Sequence, residues 1–345
     1  MTCIYGKFKL ILWNLEQMNI LENIFSFIYK CEKADAMHDR ITLFNLIKLN
    51  YLNDVAKNLS KENNFIQYKK KNIDIRTVPK AKGQLRKIQL ANLVLLMELD
   101  NVCKANNLRY WIDGGSQIGA LRHEGYIPWD DDIDCGMLRE DYNKIIDAFE
   151  KSSSDPDIYA EYFWGRVECL IKVRHRKNPH IFVDIFPFDL YGKQLTNKEK
   201  QDLSKVAIKT RNFIKKNINK NISLQEHLKW VYKLRDERIL KNGYGKENDH
   251  PDIFWGLEFP HKWNNWFHNY DTFFPLKEIK FEGLIVPIIN HPEIFLSDVY
   301  GDYLHYPSIK NMKHKHNMFA KMTEDELETL NLLANKFKEK EVKNV

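Results

Sequence analysis

The sequence predicts an α+β fold in which short strands are set among longer helices. Three observations carry this. Apolar residues recur at helical spacing over residues 85–107, through Leu85, Ile88, Ala91, Val94, Leu95, Leu99 and Val102. Short β-prone runs stand apart from it at residues 108–112, 133–138 and 181–186. Two further stretches of helical pattern follow, at about residues 197–218 and 224–240. The chain has 345 residues, of which 43% are hydrophobic and 29% charged, enough apolar material for a real core in one large domain or two modest ones.

Taken in order, residues 1–75 read as helices with polar breaks at Asn63-Asn64 and at the Lys69-Lys70-Lys71 run, a solvated face. Residues 8–29 are rich in Leu, Ile and Phe, but Asn14, Glu16, Gln17, Asn19, Glu22 and Asn23 interrupt them. A membrane span needs about 20 mostly apolar residues, and a signal peptide needs a clean apolar run. The segment is therefore read as an amphipathic helix packed on the protein, with a membrane-surface helix as the alternative. Val78-Pro79 to Gly83 looks like a boundary. It divides a helical N-terminal region, residues 1–80, from a second domain, residues 81–345.

In the helix at 85–107, Leu90, Leu93, Leu96 and Met97 broaden the apolar stripe, so the helix is expected to be buried on much of its circumference. Gly114-Gly115 breaks the chain, and Ser116 caps a short helix to about Arg122. Residues 139–151 return to helical spacing through Tyr142, Ile145, Ile146 and Phe149, and the strand at 181–186 closes at Pro187. An aromatic-rich stretch, two strand-like runs at 279–281 and 284–287, a helix near Pro292–Tyr300 and a last helix at about 324–338 complete the order.

The formal charge is +6, and the sequence pI is near 8.8. This mild excess suits anionic ligands or an anionic membrane surface, and no nucleic-acid-binding motif accompanies it. Cys3, Cys31, Cys103, Cys135 and Cys169 are odd in number, scattered and without a CxxC pair. That argues against a disulfide framework or a zinc knuckle and for a reducing cytoplasm.

The densest chemical signal is Trp129-Asp130-Asp131-Asp132-Ile133-Asp134. In a strand, residues i and i+2 share a face, so Asp132 and Asp134 bring two carboxylates together. A hard divalent cation relieves their repulsion, and oxygen ligands suit Mg2+ or Mn2+. Alone, such a run reads more often as an acidic loop capping a surface turn. Three features weigh against that. Gly114-Gly115-Ser116 lies between a strand and a helix, where backbone can approach a phosphate closely. Asp184 is a lone carboxylate in the apolar strand Val183-Asp184-Ile185 and needs a cationic partner. Lys172, Arg174 and Arg176, with Arg122 and His123, could neutralise a diphosphate. Each of these cations taken singly reads as surface charge.

Residues 111–137, WIDGGSQIGALRHEGYIPWDDDIDCGM, closely resemble the LicD family, which includes bacterial phosphorylcholine transferases and the fukutin-related proteins. Residues 183–189, VDIFPFD, look like its third motif, and residues 281–307 are similar to its C-terminal segment. The resemblance covers residues 85–307. It implies a nucleotidyltransferase-like mixed sheet flanked by helices. It also implies a metal at Asp132 and Asp134, with Asp184 sharing the metal or acting as base. Gly114, Gly115 and Ser116 would hold donor phosphate, while Arg122, Trp129 and Asp130 fall on recurring motif positions. The expected donor is CDP-linked, carrying phosphocholine or a polyol phosphate, and the expected acceptor is a sugar hydroxyl of a cell-surface glycan.

Lys172 and Arg174 are the preferred pair for the donor phosphates, because they share a face if their segment is extended. His314 and His316 are weaker candidates. The expected location is the cytoplasm, with peripheral contact at the inner face of the cell membrane left open. Two alternatives stand beside this reading. One is nucleotidyl transfer, which the same carboxylates would serve. The other is a non-catalytic partner in glycan assembly, which would be expected to lack a carboxylate, and all three are present. Trp255, Trp263, Trp266, Tyr270 and Phe274 read either as core or as a cage for a quaternary ammonium.

Overall fold

The leucine-rich stripe folds as helix α1 (Gly83–Ala105), buried on nearly every side from Ile88 to Cys103. Two amides, Gln89 and Asn92, are fully buried among its leucines. Buried amides require hydrogen-bond partners, and these two find theirs in the acidic loop described below. The computed structural model describes residues 74–165, 167–219, 221–241, 243–259, 265–307 and 321–343. The helices expected over residues 1–73, the lysine run, Trp263, His314 and His316 lie outside the described residues.

Below α1 lies a mixed sheet, as the sequence predicts. Its strands are β1 (Trp111–Ile112), β2 (Ile133–Leu138), β3 (Ile158–Trp164), β4 (Cys169–His175) and β5 (Asn178–Leu190). Their spatial order is β1-β2-β5-β4-β3. Only β2 and β5 run parallel among these neighbours; the other pairings are antiparallel. Two short strands, β6 (Ile253–Trp255) and β7 (Phe267–His268), continue the sheet from the far end of β5.

Side chains alternate between the faces of the sheet. Ile133, Cys135, Val183 and Ile185 face one core with α1, helix α3 (Ile145–Ser152) and helix α7 (Glu324–Lys343). Leu138, Phe186, Phe188 and Leu170 face a second core. That core is completed by helices α4 (Asn197–Asn217), α5 (Leu224–Arg238) and α6 (Pro292–Tyr300). A hairpin of β8 (Lys277–Phe281) and β9 (Leu284–Ile288) forms its own small sheet. Capping boxes at Thr196/Glu199 and Ser223/Glu226 start α4 and α5, which fixes their first residues locally.

The structure differs from the sequence reading in four places. The strand expected to close at Pro187 runs on to Leu190. Pro187 stays paired with Met137 on the β2 side, and on the other edge the strand changes partners there, after Ile185 has paired with β4 and before Phe188 pairs with β6, with the Gly256 N–H donating to the Pro187 carbonyl at 2.8 Å. The helix expected over 139–151 is a turn at Arg139–Tyr142 followed by α3. Arg139 is anchored by ion pairs to Asp189 and Glu258, tertiary contacts that set the angle of the first turn. Helix α2 spans Gly114–His123 with Asp113 at its N-cap, so Ser116 sits in its first turn rather than capping it. β3 and β4, which the sequence reading did not separate, form a hairpin closed by Gly165 N–H donating to the Glu168 carbonyl at 2.8 Å.

Candidate active site

The sheet brings together carboxylates that are distant in the chain. In the parallel pairing of β2 and β5, Asp134 and Asp184 are direct Cα partners. Lys172 on β4 is the partner of Asp184 on its other side, and Glu161 on β3 is the partner of Lys172. Residues in one such row share a face. The result is a charged row, Asp134, Asp184, Lys172 and Glu161, running across four strands. The Lys172 ammonium lies 2.5 Å from Asp184 Oδ1, and both groups are largely buried. Lys172 also sits 3.4 Å from the centre of the Phe182 ring. The partner that Asp184 needed is therefore Lys172, inside the site itself.

Asp132 lies one residue before the paired part of β2. Its carboxylate, with those of Asp130 and Asp131, offers oxygens that all lie within 4.8 Å of one another. All three residues are buried. The turn from β1 into α2 closes over this group. A Cβ on Gly115 would stand 2.8 Å from Asp130 Oδ2 and 3.9 Å from Asp134 Oδ2. A Cβ on Gly114 would stand 3.1 Å from both Asp134 Oδ2 and the Tyr300 hydroxyl. The two glycines thus make room for carboxylates against the backbone. The Asp134 N–H donates to Ser116 Oγ at 3.0 Å, and the Asp113 N–H donates to the Asp134 carbonyl at 2.8 Å. These bonds tie the start of α2 to the acidic strand.

Two groups at the site were not foreseen. Asp113 is buried, and its carboxyl is pushed up to about 7 by burial, against the pull of the Gly114 N–H and the Trp255 indole. A carboxylate caught between an apolar pair and Gly-Gly is the signal that could have found it. Tyr300 comes from α6, far along the chain. The residue is 38% exposed, and its hydroxyl lies against Gly114. Burial, then the charges of Asp134, Asp113, Asp130 and Asp132, push its pKa well above the ordinary value. Nothing in the residues around Tyr300 marks it out, because its role follows from where α6 packs.

The cations are placed unevenly. Arg122 is buried and donates to the Tyr303 carbonyl at 2.6 Å and to His123 Nε2 at 3.0 Å, with its guanidinium 5.8 Å from the centre of the Trp129 ring. Burial brings its pKa down to about 10, and burial followed by the Arg122 charge brings His123 down to about 4. Arg174 stands on the Lys172 face but pairs with Glu161 at 3.0 Å and donates to the Pro179 carbonyl. Arg176 is exposed at the far end, 4.6 Å from the centre of the Tyr159 ring. The structure therefore brings Lys172 into the acidic row, and gives Arg122, Arg174 and Arg176 protein partners. Trp255, Trp266 and Phe274 are buried in the second core, with Trp255 against Phe188, His268 and Phe295, so they do not form a cage.

The donor set suits a hard divalent cation. Carboxylate oxygens dominate it, a thiol is absent from it, and like charges are gathered where a cation would relieve them. Cys103, Cys135 and Cys169 are buried and free, away from any soft-metal cluster among the described residues.

Residues 107–219 match the family profile described as LicD/FKTN/FKRP, nucleotidyltransferase domain. That span includes the glycine turn, the acidic loop, Lys172 and Asp184, and it ends before Tyr300. The chain is 26% identical over 271 residues to the lipopolysaccharide cholinephosphotransferase LicD of Haemophilus influenzae, covering 67% of this chain and 96% of that protein. It is 35% identical over 89 residues to the ribitol 5-phosphate transferase FKRP of Mus musculus, covering 25% of this chain and 18% of that protein. It is 34% identical over 102 residues to an uncharacterized protein of Rickettsia prowazekii, covering 28% of this chain and 38% of that protein.

Proposed function

We propose that this chain, which matches the LicD/FKTN/FKRP nucleotidyltransferase profile over residues 107–219, moves a phospho-substituted small group from a CDP-linked donor to a sugar hydroxyl of a cell-surface glycan. The group transferred is phosphocholine or a polyol phosphate, as in the relatives' names. The observation that carries this reading is the alignment of Asp134 with Asp184 beside the glycine turn, with the Asp130–Asp131–Asp132 oxygens converging next to it. Asp130, Asp131, Asp132 and Asp134 are the residues that would hold Mg2+ or Mn2+. Such an ion supplies charge neutralisation for a diphosphate when bound.

The chain's own residues would act around it. Gly114 and Gly115 admit the donor phosphates close to the start of α2, where backbone N–H groups and the helix dipole favour negative charge. Asp184, oriented by Lys172, accepts the proton of the acceptor hydroxyl. That oxygen forms a bond to the phosphorus bearing the transferred group, and the bond from that phosphorus to the CMP oxygen breaks. Lys172 balances the charge of the row while this happens.

Among the described residues, no helix is long and apolar enough to cross a membrane. Contact with the inner face of a membrane, where a lipid-linked glycan would be met, is part of the same proposal and rests on the +6 charge. The deciding experiment incubates the protein with Mg2+ and a panel of CDP-linked donors, with and without glycan acceptor, and measures CMP. Acceptor-dependent CMP release that EDTA abolishes supports the reading. Release of pyrophosphate from a free nucleoside triphosphate would replace it with nucleotidyl transfer.

A further inference from the structure

The paired part of β2 and β5 begins at Ile133 opposite Val183. One step earlier the strands part, and the side chain of Asn92 fills the gap. Its Nδ2 donates to the Asp131 carbonyl at 3.1 Å, and its Oδ1 accepts from the Phe182 N–H at 3.1 Å. A carbonyl on one side and an N–H on the other also fix which way the amide points. Asp131 and Phe182 stand on the two strands that a parallel ladder would otherwise join directly, carbonyl to N–H. An amide inserted between them satisfies both groups and holds the strands apart by its own width.

Gln89, three residues earlier on the same helix face, holds the acidic loop from the α1 side without reaching β5. Its Nε2 donates to the Asp130 carbonyl at 2.8 Å, while its backbone carbonyl accepts from the Tyr126 hydroxyl at 3.0 Å. Arg86 steadies its Oε1 at 3.2 Å. Both amides are fully buried. Burying an amide inside a leucine-rich helix has a cost that a directly bonded ladder would avoid. What the insertion achieves is separation of the strands just where the acidic cluster stands.

We propose that Asn92, with Gln89 beside it, is the positioning residue that splays β2 from β5 and so sets the spacing between the Asp130–Asp132 oxygens and the Asp134–Asp184 row. This rests on the reading that these carboxylates hold a divalent cation. Asn92 touches neither substrate nor metal, and acts only through the backbone of the loop that carries the ligands.

The test compares the intact chain with Asn92→Ala and with Leu333→Ala, a core truncation on α7 that serves as a stability control. Mn2+ binding is followed by electron paramagnetic resonance, and amide hydrogen exchange is followed over residues 126–134 and 181–185. Asn92→Ala is expected to weaken Mn2+ binding by about 10–100-fold, in the range seen when partners of metal ligands are removed. It should also speed exchange in those two segments, while Leu333→Ala changes neither beyond its effect on melting temperature. If Asn92→Ala does not fold, Asn92→Ser is measured in its place.

Unchanged Mn2+ affinity in a folded Asn92 variant overturns the proposal. If the unaltered protein binds no Mn2+, the metal reading fails, and the hydrogen exchange alone decides the clamp. Selective loosening of the two segments then upholds it, and loosening no different from that of Leu333→Ala overturns it.

Discussion

Asp134 and Asp184 are directly paired positions in the parallel ladder of β2 and β5, so two carboxylates fifty residues apart in the chain leave the sheet side by side. Asp184 has Lys172 at salt-bridge distance in the same row. Breaking a buried pair from one side typically costs about 3–5 kcal/mol. Asp184→Ala is therefore expected to abolish transfer and to lower the melting temperature. Asp134→Ala should abolish transfer with the melting temperature unchanged or raised, since like charges are thinned. Joint replacement, Lys172→Met with Asp184→Leu, should recover stability but not activity. Thermal melts run beside CMP release decide this, and a collapsed melting temperature for Asp134→Ala would assign that residue to the scaffold.

Two of the three glycines of helix α2, Gly115 and Gly119, should fail in different ways. A methyl on Gly115 meets Asp130 Oδ2 at 2.8 Å, the movable end of a side chain. A methyl on Gly119 meets the Gly125 carbonyl at 2.3 Å, which is backbone. Gly115→Ala is expected to keep the fold and lose metal affinity by about tenfold or more. Gly119→Ala should destabilise by about 1–3 kcal/mol through overpacking. Titration of Mn2+ into both variants, with chemical unfolding alongside, separates them; equal loss of stability in the two would contradict the assignment of Gly115 to the site.

Glu282 gives an acid dependence whose sign is fixed. Burial pushes its carboxyl up, but hydrogen bonds from Arg86 and Lys80 and their charges outweigh this, so the pKa lies below the ordinary 4.5. Stability from this group is present above the unfolded value of 4.5 and is lost as the pH falls through the folded value. Its carboxylate also accepts the Tyr126 N–H at 3.1 Å, which anchors the loop leading to Asp130. Glu282→Gln should lower stability at neutral pH and flatten this part of the acid limb. Urea unfolding at a series of pH values checks it: parallel curves for the two proteins below the ordinary carboxyl pKa would show that Glu282 contributes nothing to acid sensitivity.

Arg174 sits on the same face as Lys172, although Glu161 already engages it. Arg174→Ala is expected to raise the concentration of CDP-linked donor needed for half-maximal rate severalfold and to leave acceptor dependence alone. Kinetics with donor and acceptor varied separately measure this. An unchanged donor dependence would leave Arg174 as the partner of Glu161 and nothing more.

The sequence by itself determined most of the helices, because their signals are local, while the helix expected over 139–151 broke into a turn and α3. The stripe of α1, the capping boxes of α4 and α5, and the Pro292 start of α6 each lie within a few turns of chain. It determined β2 to the residue, since a short β-prone run, Ile133–Leu138, follows directly on an acidic loop. It also singled out Asp130, Asp132, Asp134, Asp184 and the glycine turn, because charge and glycine in an apolar setting are costly enough to need a reason.

Tertiary structure alone decided which of these meet. Strand register placed Asp134 opposite Asp184 and gave Asp184 to Lys172, and no local pattern encodes the pairing of residues so far apart. Packing of α6 delivered the Tyr300 hydroxyl to Gly114, and packing of α1 put the Gln89 and Asn92 amides under the acidic loop. A change of partners along one edge let β5 pass through Pro187, where the local signal reads as a stop. Hydrophobic spacing reports which side of an element is buried; it carries no information about which buried polar atoms will face one another, because that depends on register and crossing geometry fixed only when the elements pack.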